Sequence, residues 1–209
     1  TPHAGRVDNH GLRVGLVLAN PENQVVSLVV EEDIAFGPEN LGLDCSEIAH
    51  RIDQALGATH SQDLRHALTS AISGGQLAKV VFAGQLALDV DVLVLDEGTV
   101  MLDPANRLVL LETVCELNRT LGKTIIHISH RLDDLEAAAC VIALVEGRIH
   151  TRAPGVIELI EAHARSPIPG IEPGTRLVYR GLLRERGLDD TDLPAGTRAL
   201  AGQVTARSS

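Results

Sequence analysis

The sequence predicts an α/β protein built on a parallel sheet, and three observations carry that prediction. Short apolar runs at 12–18, 92–95, 124–129 and 140–145 have the length of strands. Between them lie longer stretches whose apolar residues recur at helical spacing. The run at 92–95 is apolar at every position, as suits a strand covered on both faces. Strand, helix, strand in alternation implies parallel pairing with right-handed crossovers.

The elements follow in order. Residues 12–18 form a β-rich run closed by the loop chemistry of Asn20-Pro21-Glu22-Asn23-Gln24. A second apolar run at 25–30 leads to Glu31-Glu32-Asp33 and an expected turn at Phe36-Gly37-Pro38. Asp44 opens a helix, with Glu47 at capping-box distance and Ile48, Ile52, Ala55 and Leu56 on one face. Ser73 and Gln76 repeat the capping-box spacing before a helix over 77–88 that is apolar on most sides and expected to be buried. Asp103-Pro104 reads as an N-cap with Pro at N1, and Leu108, Leu111, Val114, Leu117 and Leu121 as the stripe of the next helix, which Gly122 ends. A helical stretch is expected at 132–139. Beyond Gly147, Pro-Gly pairs punctuate two short helical pieces near 156–164 and 175–186, so 151–209 reads as a small C-terminal extension. The turn-like first ten residues, opening at Thr1, read as the interior of a longer chain.

Composition bounds the function. At 209 residues and 22.2 kDa, with 44% hydrophobic residues, the chain can bury one good core. A net charge of −10 argues against nucleic acid as the main ligand, because phosphate backbones need a basic face. No apolar run reaches the ~20 residues that span a bilayer, so a membrane role must come through a partner. Cys45, Cys115 and Cys140 are odd in number and widely spaced, which reads as reduced core thiols.

Four short motifs carry chemistry. Ser73-Gly74-Gly75-Gln76, a string with a chance of roughly 1 in 10^5 per position, starts a helix. The helix dipole there favours an anion, and glycines permit close approach of a phosphate. The competing reading is an ordinary capped helix start. Asp96-Glu97 closes a buried strand, the end of a parallel sheet where ligands bind; the plain alternative is two solvated acids. Asp103 caps a helix. His130 ends the next strand, and His127, three residues earlier, faces the other way, which disfavours a His-x-x-His metal pair. Gly122-Lys123-Thr124 is not a phosphate loop: Leu117 stands where the first glycine is needed, and the triplet joins helix to strand.

In order and spacing these motifs resemble the ATP-binding subunits of ABC transporters. The resemblance implies a P-loop NTPase-type sheet with an inserted helical subdomain at about 27–88, all within a domain at 1–150 that lacks its N-terminal Walker A part. It also implies ATP and Mg²⁺ as cofactors. Ser73, Gly74, Gly75 and Gln76 match the signature that contacts the γ-phosphate on the opposite subunit. Asp96 matches the Walker B aspartate that holds Mg²⁺ through water, and Glu97 the general base. His130 matches the switch histidine and Asp103 the aspartate at the dimer seam. The stretch 29–43, Val-Val-Glu-Glu-Asp-Ile-Ala-Phe-Gly-Pro-Glu-Asn-Leu-Gly-Leu, is similar to the energy-coupling-factor ATPases, which drive import of vitamins and metal ions. That implies a second ATPase subunit, a transmembrane coupling subunit and a place on the cytoplasmic face of the membrane.

The chain also departs from this family. Without the phosphate loop, ATP would lose about four or five charge-assisted hydrogen bonds at ~1.5–3 kcal/mol each, comparable with the ~8 kcal/mol of micromolar binding. Ala19 stands where the family has a glutamine that contacts Mg²⁺ and water. Gly98 replaces a proline, and Lys79 an arginine. By resemblance the phosphate-loop strand lies between 124–129 and 140–145, so those strands should either close on each other or leave a cleft. Two alternatives stay open: a non-catalytic subunit that completes a partner's site, and an ABC ATPase of repair or translation with no transporter.

Overall fold

A computed structural model describes residues 10–155 other than 136 and 147. They fall into two compact units, one ending at Ile128 and the other beginning at Ser129.

In the first unit three parallel strands lie in the order β1 (Val14–Leu18), β2 (Val92–Asp96), β3 (Thr124–Ile128). Their registers put Leu18, Asp96 and Ile128 level at the C-terminal end. Four helices accompany them: α1 (Val30–Asn40), α2 (Cys45–Ala58), α3 (Gly74–Ala87) and α4 (Pro104–Leu121).

α3 organises this unit. Ala78, Val81 and Phe82 on one side pack with Val17, Leu93, Leu95, Leu110 and Val114 of the sheet and α4. Val80, Ala83 and Ala87 on the other pack with Val30, Ile34, Ile52, Ala55 and Leu56 of α1 and α2. The expectation of a helix buried on most sides holds. Each fully buried large side chain here is worth about 1.5–3 kcal/mol. Arg65 then staples the outer helices, pairing with Glu31 of α1 at 2.6 Å and with Asp53 of α2. The Arg65 guanidinium holds the Glu31 carboxyl below its usual value.

Several expectations are corrected. Phe36-Gly37-Pro38 is not a turn but the last turns of α1. Three acids in its first turn favour this helix, and Gly37 is needed because a Cβ would fall 2.7 Å from the Leu88 side chain. Asp44 caps α2 through the amides of Ser46 and Glu47, but Glu47 pairs with Arg51 at 2.7 Å rather than closing a capping box. The buried stripe of α4 is Leu110 and Val114, with Leu117 beside it, while Leu108 and Leu121 are exposed. Cys45 and Cys140 are exposed and Cys115 is half-buried, so they are not core thiols.

The largest correction concerns the sheet. β4 (Val141–Val145) does not extend it but pairs antiparallel with β5 (Arg148–Ala153), a strand the Gly-Arg-Ile change of character had hidden. β3 and β4 therefore belong to separate sheets. Among the described residues of 132–139 there is no α-helix, only a single 3-10 turn over Leu132–Leu135. The helical pieces expected near 156–164 and 175–186 lie outside the described residues.

β2 was expected to be covered on both faces. Among the described residues only one face of the sheet is: Leu93 and Leu95 point into the core, while Val92 and Val94 on the other face are half-buried. Their neighbours there are open, with Val14 51%, Leu16 41%, Ile126 48% and Ile128 48% exposed. The outer edge of β1 is closed differently, by side-chain amides. Gln24 donates to the Leu16 carbonyl at 2.8 Å and accepts from the Leu18 amide at 2.7 Å, and Gln85 accepts from the Leu16 amide at 3.2 Å.

This asymmetry sets an expectation for mutants. Leu95→Ala, on the covered face, should cost about 2–5 kcal/mol in a denaturant titration. Ile126→Thr, on the open face, should change stability by less than about 1 kcal/mol and reduce binding of an apolar dye. Equal losses at the two positions would show that the open face is covered in solution.

Candidate functional site

The site is built from the N-terminus of α3 and the C-terminal end of the sheet. Ser73 and Gln76 form the reciprocal capping box: Ser73 Oγ accepts from the Gln76 amide at 3.2 Å, and Gln76 Oε1 from the Ser73 amide at 2.8 Å. The Gln76 side chain is thus committed to the cap. Among the described residues nothing accepts from the amides of Gly74 and Gly75, the normal orphan donors of a first helical turn.

The two glycines also have a packing reason. A Cβ on Gly74 would come 3.0 Å from Met101 Cε, and one on Gly75 would come 3.1 Å from the Met101 carbonyl oxygen. The loop that leaves β2 therefore rests on the first turn of α3, and only glycine at 75 lets its backbone come that close.

At the other end of this loop, Asp96 finishes β2, and Glu97 follows with φ of 52°. A left-handed non-glycine residue costs about 1–2 kcal/mol. The Glu97 amide still donates to the Ile128 carbonyl at 3.0 Å, and the Val100 amide returns to the Glu97 carbonyl at 3.0 Å. Gly98 is buried against Val17, where a Cβ would lie 2.9 Å from Val17 Cγ1. That close approach accounts for glycine at a position where the family has proline. Backbone tightness on both sides fixes the turn that presents the carboxylate pair. Among the described residues no group donates to the Asp96 carboxylate, which leaves it as a hard oxygen donor of the type Mg²⁺ takes.

Asp103 lies at the far end of the loop as the N-cap of α4. It accepts from the amides of Ala105 at 3.0 Å and Asn106 at 3.1 Å, and from the Asn106 side chain at 2.6 Å. The Asn106 side chain, and then the backbone amides, hold its carboxyl below the usual aspartate range. The capping role read from the sequence is therefore present. The Asn106 contact was missed, although an amide three residues after an N-cap acid is the capping-box spacing.

Ser73, Gly74, Gly75, Asp96, Glu97 and Asp103 thus belong to one unit and are linked through a single loop. His130 belongs to the second unit. It is exposed in a turn held by Ser129, whose hydroxyl accepts from the Arg131 amide at 3.0 Å and donates to Asp134 at 2.9 Å. His127 is half-buried on the core-side face of β3, level with Leu95. Ala19 follows β1, and Gln24, bound to that strand, is not free to stand in for an amide there.

A parallel sheet ending in paired carboxylates, with a Ser-Gly-Gly helix start resting on the loop that follows them, defines an ABC-type ATPase domain. Solved structures share the fold. The chain matches cbiO1 from Clostridium perfringens, part of the ABC transporter complex cbiONQ, with a TM-score of 0.64 and 32% identity, covering 76% of this chain and 66% of that one. The dimeric ABC transporter cassette MJ0796 has the same fold at a TM-score of 0.63 and 19% identity, over 71% of this chain and 68% of that one. Among curated proteins, the energy-coupling factor transporter ATP-binding protein EcfA1 of Symbiobacterium thermophilum is 45% identical over 161 residues, 71% of this chain and 56% of the relative. EcfA of Syntrophomonas wolfei is 38% identical over 151 residues, 72% of this chain and 55% of that protein. The chain belongs to this family, the ATP-binding proteins of energy-coupling factor transporters. It spans about half the length of the curated relatives it matches. No protein-family model matches it.

Two substitutions test the local architecture. Ser73→Ala should cost about 1 kcal/mol by removing the cap. Gly75→Ala should leave α3 helical yet shift the amide resonances of 99–103, because the added methyl meets backbone that cannot rotate away. A spectrum unchanged in that loop would show that the Met101 contact is not maintained in solution.

Proposed function

We propose that this chain is part of an ATP-binding subunit of an energy-coupling factor importer, in which ATP hydrolysis powers uptake of a vitamin or a transition-metal ion. The observation that carries the reading is the joining of the Ser73-Gly74-Gly75 helix start to the Asp96-Glu97 strand end through one loop, in a chain 45% identical to an energy-coupling factor ATP-binding protein. In this reading residues 1–150 are the ATPase domain, about 27–88 its helical subdomain, and 151–209 a C-terminal extension.

The roles follow from chemistry. The free amides of Gly74 and Gly75, with Ser73 beside them, face the γ-phosphate of ATP held by a second ATPase subunit. Gln76 orders that helix start. Asp96, to which none of the described residues donates, would hold Mg²⁺, and the ion would supply charge neutralisation at the phosphates. Glu97 accepts the proton of the attacking water, and its strained turn fixes the direction of the carboxylate. His130 donates to the γ-phosphate, and Asp103 lies at the seam between subunits.

The partner in the membrane is a transmembrane coupling subunit, which would place this chain on the cytoplasmic side of the membrane. Among the described residues no helix is long and apolar enough to cross a membrane. Val26, Leu28, Phe36, Leu41 and Leu68, in and beside the helical region, are large, apolar and exposed, Leu28 by 76%, and are available for contact with that partner.

A specific observation also favours the second reading, a subunit that completes its partner's site without hydrolysing ATP itself. Ala19 lacks the amide the family uses, Gln24 is bound to β1, and these 209 residues contain no phosphate loop. The 209-residue chain by itself should therefore give no saturable ATP binding at micromolar concentration in calorimetry.

A purified mixed dimer with an intact ATPase partner separates the two readings. Ser73→Arg should abolish turnover by filling the place of the partner's γ-phosphate. Glu97→Gln should change the rate by less than about twofold if this chain's own site is silent, and lower it by about tenfold or more if the site hydrolyses ATP. Full turnover with Ser73→Arg would refute the composite site.

A further inference from the structure

Lys79 sits one turn and a half beyond the Ser-Gly-Gly start of α3, and its ammonium makes two bonds across the fold. It donates to the His60 carbonyl at 2.9 Å and to Asn106 Oδ1 at 3.3 Å. The Asn106 side chain then donates from Nδ2 to Asp103 Oδ2 at 2.6 Å. An asparagine amide has an acceptor face and a donor face. With a cation on the oxygen side, only the NH₂ can point to the carboxylate; the flipped amide would set N–H groups against the ammonium and oxygen against oxygen. Lys79 therefore selects the amide orientation that binds Asp103.

The same cluster anchors the end of α2. His60, with φ of 50°, presents its carbonyl to Lys79, and Thr113 of α4 donates to the neighbouring Ala58 carbonyl at 3.1 Å. The loop from Glu97 to Asp103 is thus tied to α3 twice: at Met101 by the two glycines, and at Asp103 by Lys79 through Asn106.

We propose that Lys79 is a positioning residue which, through Asn106, fixes the Asp103 carboxylate and ties it to the signature helix and to the end of α2. The value of that carboxylate for turnover rests on the reading of the site as half of a composite ATP site; the relay itself does not. Arginine keeps a cationic donor on a side chain of similar reach, so it can bond the same two oxygens, whereas methionine fills the space without a donor.

The test has two arms. In the 209-residue chain, the Asp103 carboxyl carbon is followed by NMR through the acid range. Asn106→Ala and Lys79→Met should both move its titration midpoint up toward the ordinary aspartate value, and Lys79→Arg should leave it at the wild-type position. A midpoint unmoved in Asn106→Ala and Lys79→Met overturns the relay. In the mixed dimer, Lys79→Met should lower kcat about three- to tenfold, with KM for ATP within about twofold, and Lys79→Arg should restore it. A shifted midpoint with unchanged kcat would overturn the positioning role. If the unmutated dimer shows no turnover, the composite-site reading fails, and the titration still decides the relay.

Discussion

The structure depends on one helix being buried on two sides. α3 carries Ala78, Val81 and Phe82 into the core against the sheet, and Val80, Ala83 and Ala87 into the core against α1 and α2. A helix in that position cannot shift toward one layer without opening a void in the other, and close-packed interiors resist such voids. Its N-terminus is consequently a fixed point relative to both the strand ends and the outer helices. Such fixity suits the phosphate contact proposed for this helix start, where misplacement by about 1 Å is costly.

The turn at Glu97 has the same logic on a smaller scale. Glu97 is held left-handed by bonds on either side of it, from its own amide to Ile128 and from Val100 to its carbonyl. Gly98 then has no room for a side chain against Val17, and Gly75 has none against Met101. Strain at Glu97 persists only because these neighbours leave the backbone no other path. The cost falls on a residue whose proposed role is to aim one carboxylate.

Much of this was legible in the sequence, and the limits have physical causes. The parallel strands at 14–18, 92–96 and 124–128 were marked by apolar runs, and α3 by its capping box and its unbroken apolar character. The carboxylate pair and the Ser-Gly-Gly start were placed on the right elements by spacing alone. α1 was misread because Gly37-Pro38 carries strong turn chemistry, whereas the proline sits two residues from the helix end and the glycine answers to Leu88. The α4 stripe was displaced because leucines on both faces fit a helical period; only packing selects Leu110 and Val114. β4 was assigned to the main sheet because periodicity reports that a strand exists and not which strand it joins. Lys79 was seen only as a change from arginine, since its partners His60 and Asn106 are 19 and 27 residues away.

The two sides of the sheet show how far local sequence can satisfy a strand. At the outer edge of β1, Gln24 and Gln85 supply the donors and acceptors that a neighbouring strand would otherwise provide, and the edge is closed to further pairing. Among the described residues no comparable device protects the face that carries Val14, Leu16, Ile126 and Ile128, because side-chain amides can replace hydrogen bonds but cannot replace apolar area. An apolar row on this scale gains only by burial, at roughly 25 cal/mol per Å². The covered face, by contrast, is complete: Val17, Leu93 and Leu95 are each buried against α3 and α4. The positions of Asp96 and Glu97 are set from that covered face, through Leu95 in the core and Gly98 against Val17. The backbone that carries the carboxylate pair is therefore anchored from the covered face, while the Asp96 side chain itself alternates onto the open face with Val92 and Val94.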